Sequence, residues 1–216
     1  MMSEQSLDAL YEQTLSQQKD LSEVQKSVLK AALKLFSSQG FEATSTSQIA
    51  QEAGVASGSV YKQFKNKRAL LAAVLAPLFK GTLQTAVEEL ADQTLSRQFV
   101  ELDDFIYAIV EDRFYFIQNN FPAIKLMLNQ ILTNEDFRKE VISFFERQLE
   151  GFLLPVIEKF HVENKLKDVS YAELIELIFG TMIGYFGKVL FGLASPIKIE
   201  IEQSSQQLIR YLSVKN

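Results

Sequence analysis

Apolar residues recur at helical spacing along nearly the whole chain, and caps and glycines mark where one run gives way to the next. Leu7, Leu10, Tyr11 and Leu15 share one helical face, so the polar, acidic first twenty residues form either an amphipathic helical extension or a frayed tail. A helix starting near Ser22 carries Val28, Leu29, Ala32, Leu33, Leu35 and Phe36, and Gly40 ends it. Ser45 with Gln48 three residues on makes a capping box, which starts a short helix at about Thr46. Ile49, Ala50 and Ala53 form its inner side, Gly54 supplies a left-handed ending, and Val55 plugs the turn. A second short helix over residues 57–64 turns Val60 and Phe64 inward and leaves Ser57, Ser59, Tyr61, Lys62 and Gln63 largely outward. Asn66 caps the helix after it.

From Lys67 a helical pattern runs through Leu70, Leu71, Val74, Leu75 and Leu78 toward Leu90, with Pro77 inside it. A proline there removes a backbone donor and predicts a kink. Further helices are expected over about 103–119, 122–132, 134–161 and 170–193, with a last one reaching Leu212. Pro122 suits a first helical turn, Asn134 precedes the acidic pair Glu135–Asp136, and Ser170 with Glu173 makes another capping box. The alternation of Ile197, Ile199 and Ile201 hints at a strand, too short and isolated to change an all-α class.

Composition is that of a soluble globular protein, with 47% apolar and 23% charged residues in 216. The net charge of −5 argues against nucleic acid as a partner until it is located. Residues 21–70 hold seven Lys/Arg against three Asp/Glu, so a basic segment sits on an acidic remainder. Only the local field near phosphates has to be favourable. With no cysteine and His161 as the sole histidine, neither thiolate nor His-pair metal sites can be built within one chain. No catalytic constellation stands out either, so neither an enzyme nor a cofactor is expected. The opening residues lack a charged-then-apolar leader pattern. The most apolar stretch, from Leu177 to Gly187, has eleven uncharged residues, short of the roughly 20 that cross a bilayer. A cytoplasmic protein without membrane contact is expected.

The segment from Thr44 to Leu71 reads as a helix-turn-helix. Lys67 and Arg68 stand at the positive end of a helix dipole, an unfavourable placement unless an anion such as a phosphate sits there. Thr44-Ser45-Thr46, Ile49-Ala50, Ala53-Gly54-Val55, Gly58-Ser59-Val60-Tyr61, Phe64 and Lys67 together resemble the DNA-binding domain of the TetR family of bacterial transcriptional regulators. The likeness spans roughly residues 24–74. It implies that Ser45, Tyr61 and Lys67 hold phosphates while Ser57, Ser59 and Lys62 face base edges, with Gly58 allowing close backbone approach to double-stranded operator DNA. Three positions depart from the family pattern. Ala56 stands where a capping Ser or Thr is usual, Gln63 where a His or aromatic often touches the backbone, and Ser47 where an arginine is common. Lys62 is left as the main candidate for a guanine contact.

The resemblance divides the chain into an extension (1–21), a DNA-binding domain (22–70) and a helical effector-binding and dimerisation domain (71–216). Thirteen of the seventeen phenylalanines follow residue 98. Their helices also bear Tyr107, Arg113, Phe116, Asn129, Gln130 and Tyr185, a composition that suits either a ligand cavity or plain core. Arg113 would pair with an acidic effector group or with a neighbouring carboxylate. Gly180, Gly184 and Gly187 share one face of a helix, which predicts close approach by another helix or room for a ligand. In the family the last two long helices join two copies of the chain. The expectation is a homodimeric repressor released from a palindromic operator by a small, hydrophobic effector. The alternative is a helical carrier of apolar ligands that does not bind DNA.

Overall fold

A computed structural model describes residues 7–90, 97 and 99–214 of the chain. Among them eleven α-helices and one π-helical segment carry the fold, and no strand forms beyond an isolated bridge between Leu166 and Ser213. The helices are α1 (Leu7–Gln17), α2 (Glu23–Gln39), α3 (Thr46–Glu52), α4 (Ser57–Gln63) and α5 (Lys67–Pro77), which continues through the π-helical Leu78–Leu83 into α6 (Gln84–Leu90). They are followed by α7 (Leu102–Asn119), α8 (Phe121–Thr133), α9 (Glu135–Val162), α10 (Tyr171–Leu190) and α11 (Ile197–Leu212). One compact unit is formed by Gln5–Val87 with Pro122–Ile142, the other chiefly by Glu88–Phe121 with Ser143–Asn216.

Local chemistry sets most of the helix starts in the first unit. The Ser45 hydroxyl accepts from Gln48 N while the Gln48 side chain accepts from Ser45 N, and Ser22 with Gln25 repeats that reciprocal pair at the start of α2. Asn66 Oδ1 accepts from Ala69 N at 2.8 Å. Gly40 and Gly54 take φ of 89° and 69°, the left-handed region from which a Cβ is disfavoured. Tertiary burial then holds these elements. Val28, Ala32 and Phe36 of α2, Ile49 and Ala50 of α3 and Val74 of α5 are all buried, and α2 packs on both α3 and α5.

Residues 7–17 are no frayed tail, and residues 1–6 lie outside the described residues. Leu7, Leu10, Tyr11 and Leu15 are each at most 2% exposed, so α1 is a structural part of the first unit, packed on the π-helical segment and on α2 and α5. Burying each of the three leucines stabilises this arrangement by about 1.5–3 kcal/mol. Pro77 closes α5, and the expected break takes the form of the π-helical turn that follows.

In the second unit α7 packs along α11 and, less extensively, on α10. Ser170 and Glu173 form the reciprocal cap of α10, which ends at Leu190 rather than 193 because the chain turns through Gly192 at φ 68°. The expected strand around residue 199 is helix. Ile201 faces the core, Ile199 faces out, and the fourth residue of α11 is the buried Glu200. The period-two pattern was produced by that charge, whose burial the spacing of isoleucines does not reveal.

Glu200 fastens the α10–α11 turn. Its carboxylate accepts from Lys188 Nζ at 2.6 Å and from Ser195 N at 2.9 Å. Burial works against the charged form, but these hydrogen bonds outweigh it and hold the group below the ordinary carboxylate range. A carboxylate with a depressed folded pKa contributes stability above its unfolded pKa, and that contribution disappears as pH falls through the folded value. Acid unfolding below about pH 4.5 should therefore begin at lower stability loss in Glu200→Gln than in the parent. Thermal melts at pH 7 and pH 3.5 should show the two proteins converging on acidification, the variant being less stable at pH 7.

Candidate nucleic-acid interface

Two seven-residue helices, too short to persist alone in water, present the outward polar face. They are held by Ile49, Ala50 and Val60, each no more than 1% exposed. With the inner sides committed, Ser57, Gly58, Tyr61 and Lys62 of α4 are exposed, as are Ser45 and Ser47 at the start of α3. Ser59 and Gln63 are half-buried, and Phe64, Ala53 and Val55 also stop short of full burial. Nothing lies within 4 Å of where a Cβ on Gly58 would stand, so this part of α4 offers bare backbone.

Tyr61 is 59% exposed, and its hydroxyl oxygen accepts a hydrogen bond from Thr46 Oγ1 at 2.9 Å. That bond ties α4 to the first turn of α3 and leaves the phenol proton free to point outward. The sequence pattern gave Thr46 a place but not this bond, because a partner fifteen residues away leaves no local signal. The basic side chains are not equivalent. Lys34 is engaged by Glu52 at 2.5 Å, whereas Lys62, Lys65 and Arg68 are exposed along α4 and the start of α5.

Lys67 occupies a position different from a free phosphate ligand. Its Nζ donates to the carbonyls of Phe41, Glu42 and Thr44 at 2.9, 3.4 and 3.2 Å and lies 4.4 Å from the centre of the Phe41 ring. All three donors of the ammonium have carbonyls to serve, and those carbonyls lie in the turn that delivers Ser45 and Thr46. Arg68, beside it, is exposed at the first turn of α5.

Ala56 is the N-cap of α4, extended at φ −65° and ψ 142°, with no side-chain hydrogen bond. Ser57 is already the first helical residue and does not replace it.

The six residues singled out for an effector divide between the two units. Asn129 and Gln130 lie in the first unit, on α8, and Tyr107, Arg113, Phe116 and Tyr185 lie in the second. Arg113 is bound to the neighbouring Asp112 through Nε at 2.8 Å and stands 4.7 Å from the Phe116 ring. Tyr185 is buried in a flat stack on Phe114, ring centres 3.9 Å apart. Tyr107 is half-buried, its phenol pKa raised by burial and by its hydrogen bond to Glu202. The second unit does contain a cavity of about 30 Å³, lined entirely by apolar side chains from α7, α9, α10, α11 and the α9–α10 connection, among them Phe105, Ile109, Ile157, Leu166, Met182 and Leu208. None of the six lines it. Drug-sized ligands occupy roughly 300–1,000 Å³, so these side chains would have to part to admit one. Gly180, Gly184 and Gly187 have no neighbour within 4 Å of a built Cβ. Among the described residues, then, no other element approaches these three positions closely.

The sequence profile of bacterial regulatory proteins of the tetR family matches residues 28–74. A fatty acid metabolism regulator protein of Bacillus subtilis is 24% identical over 159 residues, 72% of this chain and 77% of that one. Among solved structures, the transcriptional regulator FadR from Bacillus subtilis in complex with stearoyl-CoA aligns with a TM-score of 0.60 at 19% identity, over 85% of this chain and 96% of that one. A transcriptional regulator from Saccharomonospora viridis in complex with choline aligns at 0.68 and 17%, over 90% and 100%. At such identities the structural likeness establishes the fold alone.

Two substitutions test the local architecture. Ala56→Ser should stabilise the first unit by about 0.5–2 kcal/mol, because a hydroxyl would satisfy a helix donor now left to water. An unchanged denaturation midpoint would show that the donor is already satisfied. Lys67→Ala should destabilise the unit by roughly 1–3 kcal/mol through three orphaned carbonyls, measured without DNA by urea unfolding. A stability within about 0.5 kcal/mol of the parent would mean that water serves those carbonyls as well.

Proposed function

Because this chain belongs to the TetR family of bacterial regulatory proteins, we propose that it is a homodimeric, cytoplasmic repressor that holds a palindromic operator through α3 and α4 and releases it on binding an apolar effector. The observation that carries this reading is the exposed strip of Ser57, Tyr61 and Lys62 around the bare backbone of Gly58, on helices whose inner faces are fully committed. Lys62 is the residue to read a base, through a guanine edge in the major groove. Ser45, Ser47, Tyr61 and Arg68 serve the phosphates, while Ser59 and Gln63, half-buried, support the strip from its sides. Lys67 contributes mainly through the turn it holds.

A single seven-residue helix reads too few base pairs for affinity, so a two-fold partner is needed, with half-sites about 34–36 Å apart or a multiple of that. The open glycine face of α10, with Ile183 at 61% and Leu190 at 43% exposure, supports an interface with a second copy. Residues 22–70 serve as the DNA-binding domain, and residues 71–216 as the effector-binding and dimerisation domain. The wholly apolar cavity in the second unit supports an apolar effector. Two relatives of this fold carry ligands as unlike as stearoyl-CoA and choline, so the fold alone does not choose it. An effector that binds the DNA-incompetent arrangement more tightly by a few kcal/mol is enough to release the operator.

The test is a binding selection from random double-stranded DNA with the purified chain. Recovery of a two-fold symmetric sequence is expected, and Lys62→Ala should relax preference at one base pair per half-site by about 1–3 kcal/mol. Failure to retain any duplex even at low salt would overturn the reading in favour of an apolar-ligand carrier.

A further inference from the structure

The helix by which the chain leaves the DNA-reading elements is interrupted and repaired at one place. Pro77 has no N–H, and its ring crowds the carbonyl four residues back. Beyond it Leu78 donates to Leu75 O, three residues back, and Leu78–Leu83 winds as π-helix. The carbonyl of Val74, which Leu78 would serve in an unbroken α-helix, instead accepts from the Tyr11 hydroxyl at 3.2 Å in a buried setting. Tyr11 is 1% exposed, and burial pushes its phenol pKa upward, so the group remains a donor. The approach of α1 is equally close one turn on, where a Cβ on Gly81 would fall inside the Thr14 side chain. A bond between Lys30 and Glu12, 3.2 Å long, fixes the outer edge of α1 to α2.

We propose that α1 is a clasp that holds the Leu78–Leu83 segment in its π register, through the bond from the Tyr11 hydroxyl to the Val74 carbonyl and by filling the space above Gly81. A π turn contains an additional residue, so its rewinding as α-helix turns everything beyond it by about 100°. The clasp also rests on α2, against which α3 packs, and on α5, which packs on α2. Releasing α1 therefore loosens the reader and changes the direction in which the chain leaves it. The influence on DNA binding rests on the regulator reading above, while the clasp itself does not.

Two variants of the full chain separate these parts. Tyr11→Phe keeps the packing and removes the donor, and Gly81→Ala pushes Thr14 away while favouring α-helix. Hydrogen exchange of the amides in residues 7–17 and 75–83 should accelerate by about tenfold in Tyr11→Phe, the loss of roughly one hydrogen bond. In a Pro77→Ala background, where Leu78 can again reach Val74 O, the same substitution should change exchange by less than about twofold. Affinity for a duplex recovered from the binding selection should fall at least threefold in both single variants, with the slope against log salt unchanged because no phosphate contact is lost. Unaltered exchange in both single variants, or an equal effect of Tyr11→Phe with and without Pro77, would overturn the clasp. Accelerated exchange with undiminished DNA affinity would overturn its control of the reader. If the parent retains no duplex at all, the regulator reading fails, and exchange alone then decides the clasp.

Discussion

The reader depends on the burial of three side chains. Ile49, Ala50 and Val60 lock α3 and α4 onto the rest of the first unit, and helices of seven residues have no independent stability to fall back on. Once those inner positions are fixed, the period of the α-helix dictates which residues remain outside. Ser57, Tyr61 and Lys62 are outward because Val60 is inward. The capping box at Ser45 and the left-handed Gly54 define where each short helix begins and ends, so the outward strip has a fixed register as well as a fixed direction. The hydrogen bond from Thr46 to Tyr61 joins the two helices across their exposed side.

Signals confined to a few neighbouring residues were legible in the sequence. The caps at Ser45, Asn66, Asn134 and Ser170 appear where the spacing placed them, since a cap is made by residues three apart. Interactions with long loops between the partners were not legible. Lys67 looks like a phosphate ligand when read with its neighbours, but its ammonium is occupied by carbonyls 23 to 26 residues earlier in the chain. Arg113 satisfied the nearer of two possible partners, Asp112. The isoleucines near residue 199 suggested a strand because the intervening Glu200 reads as a solvent-facing charge, whereas Lys188 and the Ser195 amide bury it within a helix.

The two compact units give the chain's chemistry a division of its own. Exposed Ser45, Ser47, Ser57, Lys62, Lys65 and Arg68 lie on or beside α3, α4 and the start of α5, and the apolar cavity belongs to the other unit. Aromatic residues in the second unit pack on one another, as the Phe114–Tyr185 stack, the edge contact of Phe105 with Phe99 and its tilted contact with Phe160 illustrate. Aromatic content alone therefore could not distinguish a ligand chamber from a core. Among the described residues nothing closely approaches Gly180, Gly184 or Gly187 of α10, where glycine inside a helix costs stability.

The central claim, that the outward strip of α4 is the surface that meets DNA, is tested most directly by amide chemical shifts of the isotope-labelled chain during titration with a selected duplex. The account predicts that the largest changes fall between Ser45 and Arg68, strongest at Gly58, Tyr61 and Lys62. Changes concentrated on α7 and α11 with α4 unaffected would contradict it.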